Sequence, residues 1–236
     1  MKVRVKFTKS GPVKFIGHLD VMRYFQKANR RAQIPVKYSE GFNPHQIMSF
    51  AAPLGLGDTS ECEYMDMEVL SSGSSKEMID RMNAVMVEGI RVISWKELPD
   101  KSQNAMAAMA AADYVLSFRE GYAPEPWDAF VSGMQAFLSQ PEIRIVKKSK
   151  KSEKEVDIRP LLYSWSFSDG QFFCQVAAGS LANLKPELLI EAYCQEKGLE
   201  LSPFAVQVHR KELYADEGTD GVRKLVPLEN VGKDIL

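Results

Sequence analysis

The chain has 236 residues, of which 45% are hydrophobic and 26% are charged, and its formal net charge is −1. This composition is typical of a soluble globular protein. No apolar run approaches the roughly 18 residues of a membrane span, and the first residues lack the hydrophobic region of a signal peptide. We therefore expect a cytoplasmic protein that does not bind a membrane.

The three cysteines, Cys62, Cys174 and Cys194, are far apart and show no Cys-x-x-Cys spacing. The sequence therefore predicts neither a disulfide framework nor a metal site. Signatures of phosphate loops, dinucleotide-binding turns, serine hydrolases and zinc proteases are also missing from the sequence, and we expect no cofactor.

Charge is unevenly distributed along the chain. Residues 1–50 carry ten lysines and arginines against two acids, a difference of +8, whereas residues 51–100 carry four bases against ten acids, a difference of −6. One face of the molecule is therefore expected to be basic, although the whole chain is nearly neutral.

The first 98 residues are predicted to fold in the order strand, helix, two strands, helix, strand. Basic and apolar residues alternate from Lys2 to Phe7, which predicts a half-buried strand with a basic outer face. A helix follows from Asp20 and ends near Gln33, because Pro35 cannot continue it. Later elements are extended segments at 46–52 and 61–70, a helix at 77–87 and a strand at 90–95. This order is that of a ferredoxin-like domain.

The same order returns after a linker at residues 99–112. Strands are predicted at 114–119 and 204–210, helices at 127–138 and 185–196, and extended segments at 143–148, 156–162 and 164–177. We therefore predict an α+β protein of two tandem ferredoxin-like (βαββαβ) domains, residues 1–98 and 113–214. A single large α+β domain is the alternative. The tail at residues 215–236 has too few apolar residues to place.

The first helix carries candidate functional groups at its entry and on its outer face. His18 lies at the N-terminal end, where it could act as a general acid or base or contact a phosphate; alternatively, His18 or Asp20 only caps the helix. The outer positions hold cations that could bind phosphates or could form an ordinary solvated face: Arg23, Lys27, Arg30 and Arg31.

The loop from Tyr38 to Gln46 is rich in stacking and hydrogen-bonding groups. Tyr38, Phe42 and His45 are candidates for contact with a nucleic-acid base, together with Asn43. Phe42 could instead fold back onto the core. His45 is the second candidate catalytic residue. We expect this loop to run back towards Gly17 and His18 and to form one cleft with them.

A lysine-rich tip is predicted between two strands of the second half. Its candidate phosphate ligands are Lys147, Lys148, Lys150 and Lys151. A solvated hairpin loop explains the same pattern equally well. Asp157 and Arg159 project from one face of the following strand and could pair with each other or with a ligand; we expect them to close the cleft near His18.

Three groups of residues resemble the radical-SAM-linked protein family. They are Phe15-Ile16-Gly17-His18-Leu19-Asp20, Arg30-Arg31-Ala32 and Tyr38-Ser39-Glu40-Gly41-Phe42-Asn43-Pro44-His45, and segments 147–151, 156–160 and 208–210 follow the same pattern. The family is a domain of unknown function, found alone or fused to cobalamin-binding radical SAM proteins. The resemblance implies a bacterial cytoplasmic protein that works beside a radical SAM enzyme, on RNA. The chain lacks the Cys-x-x-x-Cys-x-x-Cys motif that would hold the iron–sulfur cluster.

Three functions remain open from the sequence. The first is an RNA-binding accessory protein that presents substrate to a radical SAM partner. The second is metal-independent RNA cleavage with His18 as general base and His45 or a lysine assisting, a weaker resemblance to CRISPR repeat-processing endoribonucleases. The third is a protein–protein adaptor without RNA binding. The sequence does not indicate the oligomeric state.

Overall fold

The computed structural model describes residues 1–148 and 153–236 and shows a mixed α+β fold built on one large mixed sheet. Five α-helices lie in these residues. The first half contains β1 (Lys2–Lys9), α1 (His18–Arg31), β2 (Met48–Phe50), β3 (Thr59–Glu68), α2 (Ser75–Asn83) and β4 (Ile90–Glu97).

The second half begins with a short helix and ends with strands that return to the first half. Its elements are α3 (Ala105–Ala108), β5 (Met109–Phe118), α4 (Trp127–Leu138), β6 (Arg144–Lys148), β7 (Glu153–Asp157), β8 (Leu162–Ser168), β9 (Gln171–Ala177), α5 (Glu187–Lys197), β10 (Val206–Asp216), β11 (Leu225–Pro227) and β12 (Lys233–Asp234). Within the described residues, none of the helices is both long and apolar enough to cross a membrane.

The two halves repeat one strand order and share one sheet. The main path is β12-β4-β1-β3-β10-β5-β9-β8, with β2 beside β3 and β11 beside β10. Neighbouring strands are antiparallel within each half. The halves meet where β3 and β10 pair in parallel, Thr59 with His209 and Ser60 with Arg210. The β6–β7 hairpin forms a separate two-stranded sheet.

Each half has its own hydrophobic core. In the first half, α1 and α2 pack on the sheet face that carries Val3, Val5 and Phe7, all of which are buried. In the second half, α4 and α5 pack with β5, β9 and β10, and Phe130 lies against Tyr193 between the two helices. One sheet therefore runs through both halves, and each half packs its own pair of helices against its part of the sheet.

The outer face of β1 is buried, so the expected basic surface on this strand is wrong. Arg4 is fully buried and forms a two-pronged ion pair with Asp66, at 2.8 and 2.9 Å. Lys6 contacts Glu212 and Glu229 at 2.6 Å each. Residues of β10 and of the tail cover this face, and their positions could not be predicted from the six-residue pattern of Lys2 to Phe7. Part of the N-terminal positive charge is therefore neutralised internally.

Several predicted element boundaries also change. The extended stretch at 164–177 is a hairpin that turns at Asp169 and Gly170, both of which have positive φ. The predicted helix at 77–87 begins at Ser75 and ends at Asn83. The tail that could not be placed returns to the first half, where Lys233 and Asp234 pair with β4.

Candidate functional site

Helix α1 begins at His18 without a side-chain cap. Gly17 occupies the N-cap position, so neither His18 nor Asp20 caps the helix. The imidazole of His18 is half-buried and stands edge-on to the ring of Phe50, with the ring centroids 5.4 Å apart. Asp20 is exposed and accepts a 3.3 Å hydrogen bond from Arg23. His18 therefore packs against β2 at the start of the helix.

All four candidate cations of α1 are exposed: Arg23, Lys27, Arg30 and Arg31. The guanidinium of Arg31 lies over the ring of Tyr24, 6.0 Å from its centroid, and donates to the carbonyl of Val85. Within the part of the chain that the structure describes, the side chains of Lys27 and Arg30 form no hydrogen bond or ion pair. These two cations can therefore contact an external anion without breaking an internal interaction.

The loop between α1 and β2 holds its aromatic groups in solvent. The Phe42 side chain is fully exposed, at 105% of its reference area, so it does not fold back onto the core. The hydroxyl of Ser39 lies 2.9 Å from Nδ1 of His45 and accepts from the His45 backbone N–H at 3.1 Å. Tyr38 is 44% exposed. Asn43 is also exposed.

Gln46 fastens this loop to the C-terminal half of α1. Its side-chain nitrogen donates to the carbonyl of Gln26 at 3.0 Å and to the Tyr38 hydroxyl at 3.3 Å. Its side-chain oxygen accepts from Asn29 at 2.9 Å. The loop is thus held near residues 26–29.

The expected return of the loop towards Gly17 and His18 is wrong. His18, at the start of α1, contacts Phe50, whereas His45 precedes Gln46, which is bonded to Gln26 and Asn29 in the other half of the helix. No contact joins the two histidines within the described residues, so the catalytic pair that the endoribonuclease hypothesis needs is not assembled there.

Within the described residues, neither Asp157 nor Arg159 contacts His18, so the expected closure of a cleft there is wrong for these two residues. Asp157 accepts backbone hydrogen bonds from Ile143 and Arg159 at 2.9 and 3.0 Å, and these bonds hold the pKa of its carboxyl below the usual value. Arg159 donates to the carbonyl of Leu162. Asp157 therefore holds the base of the β6–β7 hairpin, and Arg159 holds the turn that leads from β7 to β8. Lys147 and Lys148 lie in β6, and Lys150 and Lys151 lie outside the described residues.

A second set of polar residues, which the sequence prediction missed, lies where β3 meets β10. Arg210 is buried and donates to Glu63 at 2.9 Å and to the Tyr114 hydroxyl at 3.3 Å. It also donates to the carbonyl of Pro53 at 3.3 Å. This guanidinium therefore joins β3, β5, β10 and the segment that follows β2. The only signal in the sequence was the segment 208–210 of the family resemblance.

On the opposite side of the same junction, His209 links the two halves through its ring. Its Nδ1 lies 2.7 Å from the Thr59 hydroxyl, and its Nε2 lies 3.1 Å from a carboxylate oxygen of Glu61. Lys211 also contacts Glu61, at 2.7 Å. The polar groups of Thr59, Glu61, His209 and Lys211 contact one another. We therefore interpret this cluster as a contact that holds β3 to β10.

A cavity of about 430 Å³ opens beside Arg210; we call it the seam cleft. It is bounded by residues 51–58 of the first half and by residues 178–187 and strands β5 and β10 of the second. Asp58 and Glu187 both line it. Burial, and secondly the nearby Glu187 carboxylate, raise the pKa of Asp58 to about 6. The cleft thus combines a buried cation with two carboxyl groups at its margin.

The fold and these sites define a two-lobed α+β protein with a continuous sheet and a cleft at the junction of its lobes. The chain belongs to a family described as an uncharacterized protein conserved in bacteria (DUF2344), whose model matches residues 2–186. That description does not mention a radical SAM enzyme, so this association stays a prediction.

Comparison with solved structures gives a distant similarity. A chain from the structure titled "Crystal Structure of a Cbf5-Nop10-Gar1 Complex" is 12% identical, with a TM-score of 0.46. The match covers 89% of the present chain and 48% of the other, so the present chain spans about half of that chain's length. No curated protein matches the sequence.

Proposed function

We propose that this protein binds RNA as an accessory to a radical SAM enzyme, with the outer face of α1 and the loop at residues 38–45 as the contact surface. The observation that carries the proposal is the adjacency of unpaired cations and exposed rings. Gln46 fixes the aromatic loop to α1 at Gln26 and Asn29, and Lys27 and Arg30 lie in the same part of the helix. Cations beside stacking groups are what single-stranded RNA requires.

The strand order of the two halves supports a more specific assignment of the fold. In each half the strands follow the spatial order fourth, first, third, second: β4-β1-β3-β2 and β10-β5-β9-β8. We therefore propose that both halves are ferredoxin-like units, joined where β10 of the second pairs with the start of β3 of the first, with the β6–β7 hairpin inserted in the second.

The salt dependence of RNA affinity tests the binding surface. Each phosphate contact with single-stranded RNA contributes about −0.7 to the slope of log K against log salt. The double variant Lys27→Ala/Arg30→Ala should therefore weaken binding and reduce the magnitude of the slope by about 1.4. Fluorescence anisotropy with a labelled single-stranded RNA across a salt series measures both quantities.

A matched control removes the same charge elsewhere. The double variant Lys197→Ala/Lys224→Ala also removes two exposed cations, both in the second half. Its slope should equal that of the unmodified protein. Equal slopes for all three proteins, or the absence of RNA binding at low salt, would contradict the proposed surface.

The partner enzyme is tested separately from RNA. Co-purification of a cobalamin-binding radical SAM protein from the same bacterium should depend on RNA and be lost after nuclease treatment. If the partner is retained after nuclease treatment and the chain binds no RNA, the protein is an adaptor instead.

A further inference from the structure

We propose that the seam cleft binds a single purine base that presents N–H donors, with guanine as the base that fits best. This inference rests on the proposed RNA binding for its biological source, a guanine nucleotide of the bound RNA. The site itself is argued from the cleft alone. It is distinct from the outer face of α1 and from the loop at residues 38–45.

The size and walls of the cleft suit a flat ring. Its volume of about 430 Å³ lies within the range of small-ligand sites. Met106, Met109, Tyr114, Leu184 and Leu213 line it with apolar surface. Met106 is 52% exposed at the rim, although it is a large apolar side chain. Methionine thioethers make favourable contacts with aromatic rings, so a base in the cleft would cover this surface.

The backbone around the cleft is built to leave this space open. Gly179 has a φ of +155°, and a side chain there would overlap the carbonyl of Met109. A side chain at Gly55 would overlap the carboxylate of Asp58. Glycine at position 179 lets the turn before α5 approach β5 closely, and glycine at position 55 leaves room for the Asp58 carboxylate beside its own turn. The cleft is therefore a consequence of particular residues in both halves.

The polar groups of the cleft favour a ligand that donates hydrogen bonds. Arg210 is engaged by Glu63, Tyr114 and the carbonyl of Pro53, so most of its donors are already satisfied. Asp58 and Glu187 form no ion pair within the described part of the chain. Two unpaired carboxylates beside one cavity repel each other until a donor lies between them. Asp58 accepts one backbone hydrogen bond from Gly55, and the remaining lone pairs of the two carboxylates are the acceptors at the margin of the cleft.

Guanine is the nucleobase whose Watson–Crick edge matches these acceptors. It carries two adjacent donors, N1–H and the exocyclic amino group, and one carboxylate can accept from both. Adenine, cytosine and uracil each present only one donor group along that edge, so none of them offers two adjacent donors to one carboxylate. Lys185 is exposed and lines the same cavity, where its ammonium can contact the phosphate of the bound nucleotide.

Binding of free mononucleotides tests the site without depending on RNA affinity. In calorimetric titrations at low salt, GMP should bind at least about 10-fold more tightly than AMP, CMP or UMP. Asp58→Asn should lower GMP affinity by about 10-fold or more, and Met106→Ala should weaken binding of GMP by a smaller factor. The control Asp128→Asn removes an exposed carboxylate at the start of α4 and should leave affinity unchanged.

The outcomes separate this site from the RNA surface on α1. Lys27→Ala/Arg30→Ala should lower RNA affinity and leave GMP affinity unchanged. An oligonucleotide with a single unpaired guanine should compete with GMP for the cleft, and the same oligonucleotide with adenine at that position should not compete. If GMP binds but neither oligonucleotide competes with it, the ligand of the cleft is a free nucleotide. Equal affinity for the four mononucleotides, no binding of GMP, or unchanged binding by Asp58→Asn would overturn the proposed site.

Discussion

Asn29, on the buried side of α1, donates a 2.9 Å hydrogen bond to Gln46, which is itself buried at the end of the aromatic loop. This bond joins helix and loop directly. The position of Tyr38 and His45 relative to the cations of α1 therefore depends on one amide side chain.

Gln46→Ala is expected to loosen the loop and to weaken RNA binding. The substitution removes contacts with Gln26, Asn29 and Tyr38, and it leaves the buried Asn29 amide nitrogen with only the sulfur of Met67 as a partner. Loss of such a network costs about 1–3 kcal/mol of unfolding free energy. Urea unfolding measures this loss, and RNA affinity should fall while the salt slope is unchanged, because no cation is removed.

The exposed Gln135 of α4 supplies the control for this substitution. Gln135→Ala should change neither stability nor RNA affinity, since surface changes are usually within about 0.5 kcal/mol. If the slope of log K against log salt is smaller in magnitude for Gln46→Ala than for the unmodified protein, the loop also positions the cations that contact phosphates.

The buried ion pair between Arg4 and Asp66 predicts a large effect from removing one partner. Asp66 accepts from two nitrogens of Arg4 and from the backbone N–H of Ala105. Asp66→Ala leaves a buried guanidinium without its counter-ion, which costs about 3–5 kcal/mol. The double variant Arg4→Met/Asp66→Leu should recover most of this loss in urea unfolding. Equal destabilisation of the single and double variants would contradict this account.

The sequence predicted those elements whose signals are local. Alternation in β1, the periodicity of α1 and the glycine that ends α5 all lie within one element, and the structure contains each of these elements. The burial of Arg4 and Lys6 could not be predicted in the same way, because their partners include Leu228 and Glu229, more than 220 residues away. The pattern of a strand shows which residues alternate but not what covers the second face.

The candidate site was predicted in part for the same reason. The exposed cations and rings at residues 23–45 follow from helix periodicity and loop composition. The seam cleft was missed because its residues come from four separate segments, each ordinary by itself. Gly55-Leu56-Gly57 indicates only a turn, and Arg210 is one of several charged residues in a strand of mixed polarity. These residues form one cleft only when β3 pairs with β10.

Gly179→Ala is expected to destabilise the second half strongly. A Cβ at this position would overlap the Met109 carbonyl, and the φ of +155° is unfavourable for residues other than glycine. We expect a loss of about 2 kcal/mol or more in unfolding free energy. Gly17→Ala is the matched control: a Cβ there meets nothing within 4 Å and the φ is −74°, so we expect only the smaller cost of alanine at a helix N-cap. Similar thermal unfolding of the two variants would refute the predicted close approach.

Asp58→Asn is expected to stabilise the protein at neutral pH. In the native state, burial and Glu187 raise the pKa of Asp58 to about 6, whereas the unfolded chain has the ordinary value near 3.9. Between these values the native state binds more protons than the unfolded state, so this carboxyl lowers stability as pH rises through about 6. The penalty is complete above about pH 7 and absent below about pH 4.

The variant should therefore be more stable than the unmodified protein by about 1 kcal/mol at pH 7.5, a value reduced for the solvent that reaches this group. The difference should disappear near pH 4 in urea unfolding followed across pH. A variant that is less stable at pH 7.5 would show that attraction to Arg210 and Lys9 outweighs burial. A variant that is more stable but no longer binds GMP would show that Asp58 costs stability and serves the cleft, as expected of a binding residue.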